Sequence, residues 1–219
     1  MSDQLILKFP SLQAFKKEDF YVSPSNQKAY DFINSWPRWI KRIVNIFGPS
    51  GSGKSHLSSI LKSKTSCLQI ESQNLNEEVL FKFKTKESII VENFDKNLSE
   101  KLLFSLWNIV LQDNKYLLIT SKNPINSYNY KLEDLKSRVN SSLIIGIDLP
   151  SDDLISVILS KNFSDKQIKV EKKHIDYIIK RIDRSYEKIF QFIQTLDKYS
   201  LKKGSPFSLI LIKEVLKMI

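Results

Sequence analysis

A chain of 219 residues with 42% hydrophobic content can bury a substantial core, which excludes an intrinsically disordered protein. Its single cysteine, Cys67, excludes an internal disulfide, and with only two histidines beside it the chain has too few ligands for a structural zinc cluster. The 34 basic and 24 acidic residues give a formal charge of +10, which fits a phosphate-rich partner. The lysines are spread over the whole chain, however, so the charge alone does not predict direct nucleic-acid binding.

The sequence carries no signal for a membrane or for export. No apolar run approaches the roughly 20 residues that a membrane span requires. The N-terminal sequence MSDQLILKFP begins with an acid, lacks a basic flank and has only a three-residue apolar run before Lys8. We therefore expect a cytoplasmic protein without a membrane partner.

Short apolar runs alternate with longer amphipathic stretches through the first two thirds of the chain, which is typical of a parallel α/β sheet. Ahead of them, QLILKFPSLQAF, which precedes the turn-rich SPSNQ, is predicted to be an extended tail. The predicted strands cover 43–47, 67–71, 88–92, 116–120 and 143–147, and the predicted helices between them cover 53–63, 76–83, 99–112 and 131–138. Five strands with crossover helices predict a three-layer αβα core with a five-stranded parallel sheet.

The pattern changes at DLPSDD, residues 148–153. Pro150 ends the last strand, and Ser151 followed by Asp152 and Asp153 is a good helix start. Only helices are predicted from there on, at 152–161, 171–180, 184–199 and 207–217. We therefore divide the chain into a tail (1–10), an α/β core (11–149) and a small all-helical domain (150–219).

The sequence GPSGSGKS, residues 48–55, matches the phosphate-loop pattern G-x-x-x-x-G-K-[ST]. Its glycines let the backbone wrap phosphates, and the helix that follows presents its positive end to the anion. Lys54 is expected to reach the β and γ phosphates, while Ser55 offers its hydroxyl to Mg²⁺. The predicted nucleotide-binding residues of this segment are Gly48, Pro49, Ser50, Gly51, Ser52, Gly53, Lys54, Ser55 and His56.

The strand sequence SIIVENFD places Glu92 where phosphate-loop proteins hold magnesium, often through water. Glu92 is accordingly the second predicted magnesium ligand, although a solvated strand end is the simpler alternative. Asn93 follows it, and an amide can orient a water molecule but cannot accept its proton. Glu92 followed by Asn93 therefore predicts slow intrinsic hydrolysis of the bound nucleotide.

Polar residues in two further segments bear on the γ phosphate. Thr120, Ser121 and Asn123 stand at the tip of the strand in YLLITSKNP, where a polar side chain can contact that phosphate; a plain strand-to-loop turn is the alternative. Arg138 ends a short predicted helix in DLKSRVNSS. An arginine supplied in trans stabilises a transferring phosphoryl group. From residue chemistry alone, an ordinary surface arginine is the better interpretation.

These elements, in this order, resemble the AAA+ family and, within it, the DnaA-related regulators of the Hda type. FYVSPSNQKA (20–29) is similar to the segment that frames the adenine, which implies Val22 and Asn26 as nucleotide contacts. LLITSKNP is similar to the sensor-one strand and implies Thr120, and LEDLKSRV is similar to the arginine-finger segment and implies Arg138. KRIDRSYEKIFQFIQTLDKYSL (180–201) resembles the lid helix.

The chain departs from the family pattern at two informative positions. Ser23 stands where the family usually has glycine, which is a minor change for a turn residue. Glu187 stands where the lid arginine contacts phosphate, so Arg184, one helical turn earlier, is the implied substitute, with Lys188 as a neighbouring basic residue. The lid's contribution to catalysis is therefore open.

Both ends of the chain resemble the Hda type more than the initiator DnaA. The chain ends at Ile219, directly after the lid, so we expect no C-terminal helix-turn-helix domain. DQLILKF resembles the short peptide with which Hda proteins dock on the β sliding clamp of DNA polymerase III. The implied clamp contacts are Gln4 at a polar site and Leu5, Leu7 and Phe9 in an apolar groove. Alternatively, residues 5–7 form an edge strand or a packed arm.

The resemblance implies a negative regulator of replication initiation that binds ATP or ADP with Mg²⁺, docks on the clamp and promotes ATP hydrolysis by DnaA. DNA contact would then be indirect, through the clamp, and the protein would associate with the nucleoid in the cytoplasm, with a homo-oligomer left open. Three alternatives remain at this point: an autonomous ATPase such as a helicase loader or remodeller, a DNA-binding accessory or scaffold protein at the origin, and, more weakly, a small-molecule kinase.

Overall fold

The computed structural model describes residues 20–166, 168, 170–203 and 208–219, with the backbone alone at 201–203. The predicted tail and its four implied clamp contacts, Gln4, Leu5, Leu7 and Phe9, lie outside the described residues. Within the described part of the chain, no helix combines the length and apolar character needed to cross a bilayer.

A single five-stranded sheet forms the centre of the α/β core. The strands are β1 (Ile43–Phe47), β2 (Cys67–Glu71), β3 (Ser88–Phe94), β4 (Tyr116–Ser121) and β5 (Leu143–Gly146). Their order is β2-β3-β4-β1-β5, and every neighbouring pair is parallel. Parallel strands need crossover connections, and the alternating helices of the sequence supply them.

Among the described residues, five helices belong to the core: α1 (Gln27–Asn34), α2 (Lys54–Lys62), α3 (Glu77–Phe83), α4 (Glu100–Gln112) and α5 (Glu133–Ser141). Short 3₁₀ helices lie at Ser72–Asn74 and Ile125–Ser127. In the described part of the chain after the core, four helices follow: α6 (Asp152–Asp165), α7 (Lys172–Ile179), α8 (Tyr186–Lys203) and α9 (Leu209–Leu216).

The helices cover both faces of the sheet, which explains why the strands are continuous apolar runs. On β3, Ile89 and Val91 pack with α3, α4 and α5, while Ile90 between them packs with α1 and α2. This alternation follows from the period of two in a strand. The three-layer αβα class expected from the sequence is confirmed.

The C-terminal helices have a separate apolar core. Ile155, Leu159, Phe163, Ile178 and Phe192 are members of this buried cluster. The Ser151 hydroxyl caps α6 by accepting a hydrogen bond from the Leu154 N–H at 3.3 Å, and two acids occupy the first turn, which suits the helix dipole. A helical lid thus follows the sheet.

Candidate functional site

The phosphate loop connects the end of β1 to the start of α2. Gly51 and Gly53 adopt left-handed φ values of 79° and 90°, which glycine tolerates at no steric cost. Gly53 is the N-cap of α2, so the first free N–H groups of that helix face the loop. The local geometry matches what the motif requires of an anion-binding loop.

Lys54 is folded back onto this loop. Its Nζ donates to the carbonyl oxygens of Gly48 and Pro49, both at 2.8 Å. Burial lowers the pKa of the ammonium, and the Glu92 carboxylate opposes that shift. The ammonium thus lies within the phosphate loop, where the phosphate oxygens of a nucleotide would compete with these two carbonyl oxygens for its hydrogen bonds.

Glu92 and Ser55, the two predicted magnesium ligands, are in direct contact. Glu92 is only 4% exposed, and it accepts hydrogen bonds from Ser55 Oγ at 2.7 Å and from Gln69 Nε2 at 2.6 Å. Hydroxyl and carboxylate oxygens are hard ligands of the kind Mg²⁺ prefers. Among the described residues no group of three or more His, Cys, Asp or Glu could hold a metal. Magnesium at this pair would therefore need phosphate or water oxygens as well.

Asn93 lies at an irregular position in β3. Its φ is 53°, and the β3–β4 register shifts between Val91 and Phe94. The Asn93 N–H donates to the buried Thr120 Oγ1 at 3.2 Å, while its side-chain amide donates to Glu71 Oε2 at 3.0 Å. Thr120 and Asn93 are thus brought together, but the amide side chain is directed to β2.

The other two polar residues at the end of β4 bond to each other. Ser121 Oγ accepts from the buried Asn45 amide at 2.8 Å and donates to the carbonyl oxygen of Asn123 at 2.6 Å. The hydroxyl of Ser121 therefore stabilises the turn after β4, whereas Thr120 is the residue of this strand tip that contacts Asn93.

A cavity of about 200 Å³ lies between the phosphate loop and the lid. Asn26, implied as an adenine contact, lines it, although its amide is occupied in the turn before α1: Oδ1 accepts from Ser23 N–H at 2.8 Å and Nδ2 donates to the Tyr21 carbonyl at 3.0 Å. Val22 is half-buried beside it, and the His56 ring packs edge-on against Phe20 at 5.2 Å. The phosphate loop and the predicted adenine segment therefore meet at one cavity.

Sequence reasoning missed most of the apolar lining of this cavity. Besides the predicted residues, it is lined by Phe20, Tyr21, Leu154, Val157, Ile158, Tyr186 and Phe190. Two sequence features could have indicated this lining. An aromatic pair stands directly before Val22, and Tyr186 and Phe190 are spaced i,i+4, which places both on one face of α8.

The lid packs closely on the phosphate loop at Gly51. A Cβ there would lie 3.0 Å from Tyr186 Cβ and 3.2 Å from Phe190 Cε2. Because φ is also left-handed, we expect Gly51→Ala to lower the free energy of unfolding by about 1–3 kcal/mol. Urea denaturation checks the loss, with Ser50→Ala in the same loop as the matched control. Equal stability of the two variants would mean that this contact is absent in solution.

Arg138 lies on α5, one turn before the helix ends. Its guanidinium stacks on the Phe104 ring, 4.6 Å from the centroid, and donates to Asn108 Oδ1; both partners are on α4. Since α5 leads directly into β5, its end lies at the amino edge of the sheet, opposite the phosphate loop. A strand of about five residues separates those edges by roughly 15 Å.

Arg184 is on the lid and is engaged with another lid residue. Its Nη2 lies 3.0 Å from Asp152 Oδ1, and both side chains are more than half exposed. Glu187 is exposed in the first turn of α8, and Lys188 Nζ donates to the Ile219 oxygen at 2.5 Å. Exposed ion pairs are weak, and Arg184 is not among the residues that line the cavity beside Gly51.

Comparisons with known proteins agree with this architecture. Residues 152–216 match the family model "Hda, lid domain". The chain is 23% identical to the chromosomal replication initiator DnaA of Borreliella afzelii over 92% of its length and 47% of the relative, and 25% identical to that of Campylobacter jejuni over 93% and 52%. The chain thus spans about half the length of the curated relatives it matches.

Solved structures show the same fold. Domain III of Thermotoga maritima DnaA superposes with a TM-score of 0.76 at 16% identity, covering 93% of this chain and 95% of that one. AMPPCP-bound DnaA from Aquifex aeolicus gives 0.67 at 16% identity, over 82% and 64%. The chain is thus similar to DnaA-related AAA+ proteins in its sheet and phosphate loop, and its residues 152–216 are similar to the lid domain of the Hda type.

Proposed function

We propose that this protein is a nucleotide-loaded regulator of replication initiation that promotes ATP hydrolysis by ATP-bound DnaA. The observation that carries the proposal is the position of Arg138. Its guanidinium is held against α4 by Phe104 and Asn108, and Arg138 is not among the residues that line the cavity beside the chain's own phosphate loop. An arginine so placed cannot reach its own nucleotide, but it can be presented to the nucleotide of another subunit.

The resident nucleotide is ATP or ADP, with Mg²⁺ at Ser55 and Glu92. The positive end of α2, the Lys54 ammonium and the aromatic cavity beside Gly51 support this part of the proposal. So does the buried Ser52 hydroxyl, which has no hydrogen-bond partner within the described residues. When bound, Mg²⁺ neutralises phosphate charge. The nucleotide then links the core to the lid and fixes their relative orientation.

Intrinsic hydrolysis by this protein is slow. The residue after Glu92 is Asn93, whose amide cannot take a proton from water and is bonded to Glu71. Turnover of the purified protein, without DnaA or clamp, separates this function from an autonomous ATPase of the helicase-loader type. Substantial turnover would favour the autonomous enzyme.

Docking on the β sliding clamp occurs through residues 4–9. Replacing Leu5 and Leu7 by alanine removes two apolar anchors, and truncating such anchors typically costs about 1–2 kcal/mol each or more. We therefore expect retention on immobilised clamp to fall at least about thirtyfold, with nucleotide binding unchanged. Surface plasmon resonance measures the loss.

Ile6→Ala is the matched control for clamp docking. In an extended peptide Ile6 points away from its neighbours Leu5 and Leu7, so this change should leave retention within about threefold. Equal loss in both variants indicates the alternative packed arm, and unchanged retention in the double variant removes the docking proposal.

The complete activity is tested by following ATP hydrolysis by DnaA with and without clamp-loaded DNA. Adding this protein should accelerate DnaA turnover, and more so when the clamp is present on DNA. An unchanged rate under all conditions would exclude the regulatory function, even if nucleotide and clamp binding are intact.

A further inference from the structure

The amino edge of the sheet is far more basic than the edge that carries the phosphate loop. Because all strands are parallel, the segments leading into them lie at one edge, here called the amino edge: residues 35–42, 62–66, 84–87, 113–115 and 141–142. They contain eight basic and two acidic residues. The segments that follow the strands contain only three basic and two acidic residues; they are 48–53, 72–76, 95–99, 122–132 and 147–151. The amino edge thus carries +6 of the formal +10.

Some of this charge has a structural explanation. Lys115 Nζ donates to the carbonyl oxygens of Lys84 and Lys86 after α3, at 2.9 and 2.7 Å, and Arg42 Nη1 donates to the Asn114 carbonyl after α4 at 2.6 Å. Lys64 likewise contacts the end of α1, at Asn34 Oδ1, 2.8 Å away. Cations at helix C-termini offset the helix dipole. These contacts also join neighbouring segments into one surface.

Five cations of the amino edge are left without such a structural contact: Arg38, Lys41, Lys62, Lys84 and Lys86. They form no ion pair with any residue that the structure describes, and all except the half-buried Lys86 are exposed. Burial raises the pKa of the Cys67 thiol, while nearby Lys62 and Lys86 oppose that shift, so both ammonium groups lie near the start of β2. Like charges on neighbouring segments repel one another, and a bound anion relieves that repulsion.

The spread of these cations fits a nucleic-acid backbone. The five cations precede β1, β2 and β3, which lie within a row of four adjacent strands. Because neighbouring strands are about 4.8 Å apart, the cations extend over about 14 Å along this edge. Duplex DNA carries one charge per ~1.7 Å of axis, or about eight phosphates over that length. We infer that the amino edge of the sheet binds the phosphate backbone of duplex DNA directly.

An anionic membrane fits this edge less well. Interfacial binding requires apolar side chains that enter the lipid. Among the large apolar residues of the five amino-edge segments, Ile40 alone is strongly exposed, at 82%. Trp39 is 8% exposed and donates its indole N–H to the Phe32 carbonyl. The surface is therefore mainly cationic. The inference that it binds duplex DNA does not depend on docking to the sliding clamp.

The test compares two triple charge reversals in fluorescence anisotropy with a 30-bp duplex at 50–200 mM salt. The edge variant is Lys41→Glu, Lys62→Glu and Lys84→Glu, three exposed residues without a carbonyl contact. The control is Lys172→Glu, Lys198→Glu and Lys217→Glu, exposed lysines of the lid that change the net charge equally. Circular dichroism and a cooperative thermal transition show that both are folded, and a lysine-to-glutamine version of the edge variant replaces it if folding fails.

For the unmodified chain we expect the logarithm of affinity to fall with the logarithm of salt with a slope of about −4.5, as five contacts imply. The edge variant should bind at least about a hundredfold more weakly with a slope shallower by about three, and the control should lose less than about fivefold. Equal loss in both variants, no duplex binding by the unmodified chain, or preference for phosphatidylserine vesicles over DNA would each overturn the inference. Because neither clamp nor DnaA is present, failure here is separate from failure of the proposed regulation.

Discussion

A Lys54→Ala chain should bind ATP and ADP at least about a hundredfold more weakly than the unmodified protein while remaining folded. The ammonium is inside the phosphate loop, bonded to the Gly48 and Pro49 carbonyls, and ready to exchange them for phosphate oxygens. Hydrogen bonds to charged groups contribute about 1.5–3 kcal/mol each, so losing two explains the factor. Isothermal titration calorimetry gives the affinities directly.

Lys62→Ala is the matched control for that experiment, because Lys62 is the last, exposed residue of the same helix. Saturating nucleotide should raise Tm in the unmodified chain and in this control, but not in Lys54→Ala, since only a ligand that binds the folded state stabilises it. Nucleotide affinity that survives in Lys54→Ala would show that the loop is not the phosphate site.

Arg138→Ala should reduce the stimulated rate of DnaA hydrolysis by about three orders of magnitude, the lower end of what arginine fingers contribute. Nucleotide binding and clamp retention should persist, because Arg138 contacts Phe104 and Asn108 and neither of these lies at the phosphate loop. Single-turnover hydrolysis of ATP-loaded DnaA on clamp-loaded DNA measures the effect.

Two variants sharpen the result for Arg138. Lys136→Ala removes an exposed cation from the same helix and should leave stimulation unchanged. Arg138→Lys keeps the charge but loses the planar fork and its stacking on Phe104, so we expect most of the activity to be lost. If Arg138→Ala still stimulates DnaA, another residue is the finger.

Local sequence patterns sufficed for most of the fold. All five strands begin where the apolar runs predict, because strands buried on both faces are continuous runs of Val, Ile and Leu. The helices were predicted with ends displaced by a few residues; α6, for example, continues to Asp165 rather than 161. Helix α1 was missed, since QKAYDFIN is short and polar, with only Ala29 and Ile33 fully inside. Their spacing of four is a weak helix signal in so short a segment.

The phosphate loop was also predictable, because its function depends on residues that are adjacent in the chain. Gly48 to Ser55 form a continuous loop and helix start whose glycines have the conformations that the motif requires. The pairing of Glu92 with Ser55 is different, since 37 residues separate them and the contact exists only because β3 ends beside α2. The sequence suggested the two ligands, and the sheet brought them together.

What the sequence by itself determined is the class of the protein: alternating apolar runs predict a parallel sheet, and a glycine loop between a strand and a helix predicts an anion site. Only the tertiary structure decided where the charged groups lie relative to one another. The parallel direction of all five strands put the basic segments on one edge and the phosphate loop on the other, strand order made those basic segments neighbours, and helix packing turned Arg138 onto α4. The physical reason is that side-chain chemistry is local, whereas the distances between charged groups depend on how distant parts of the chain pack.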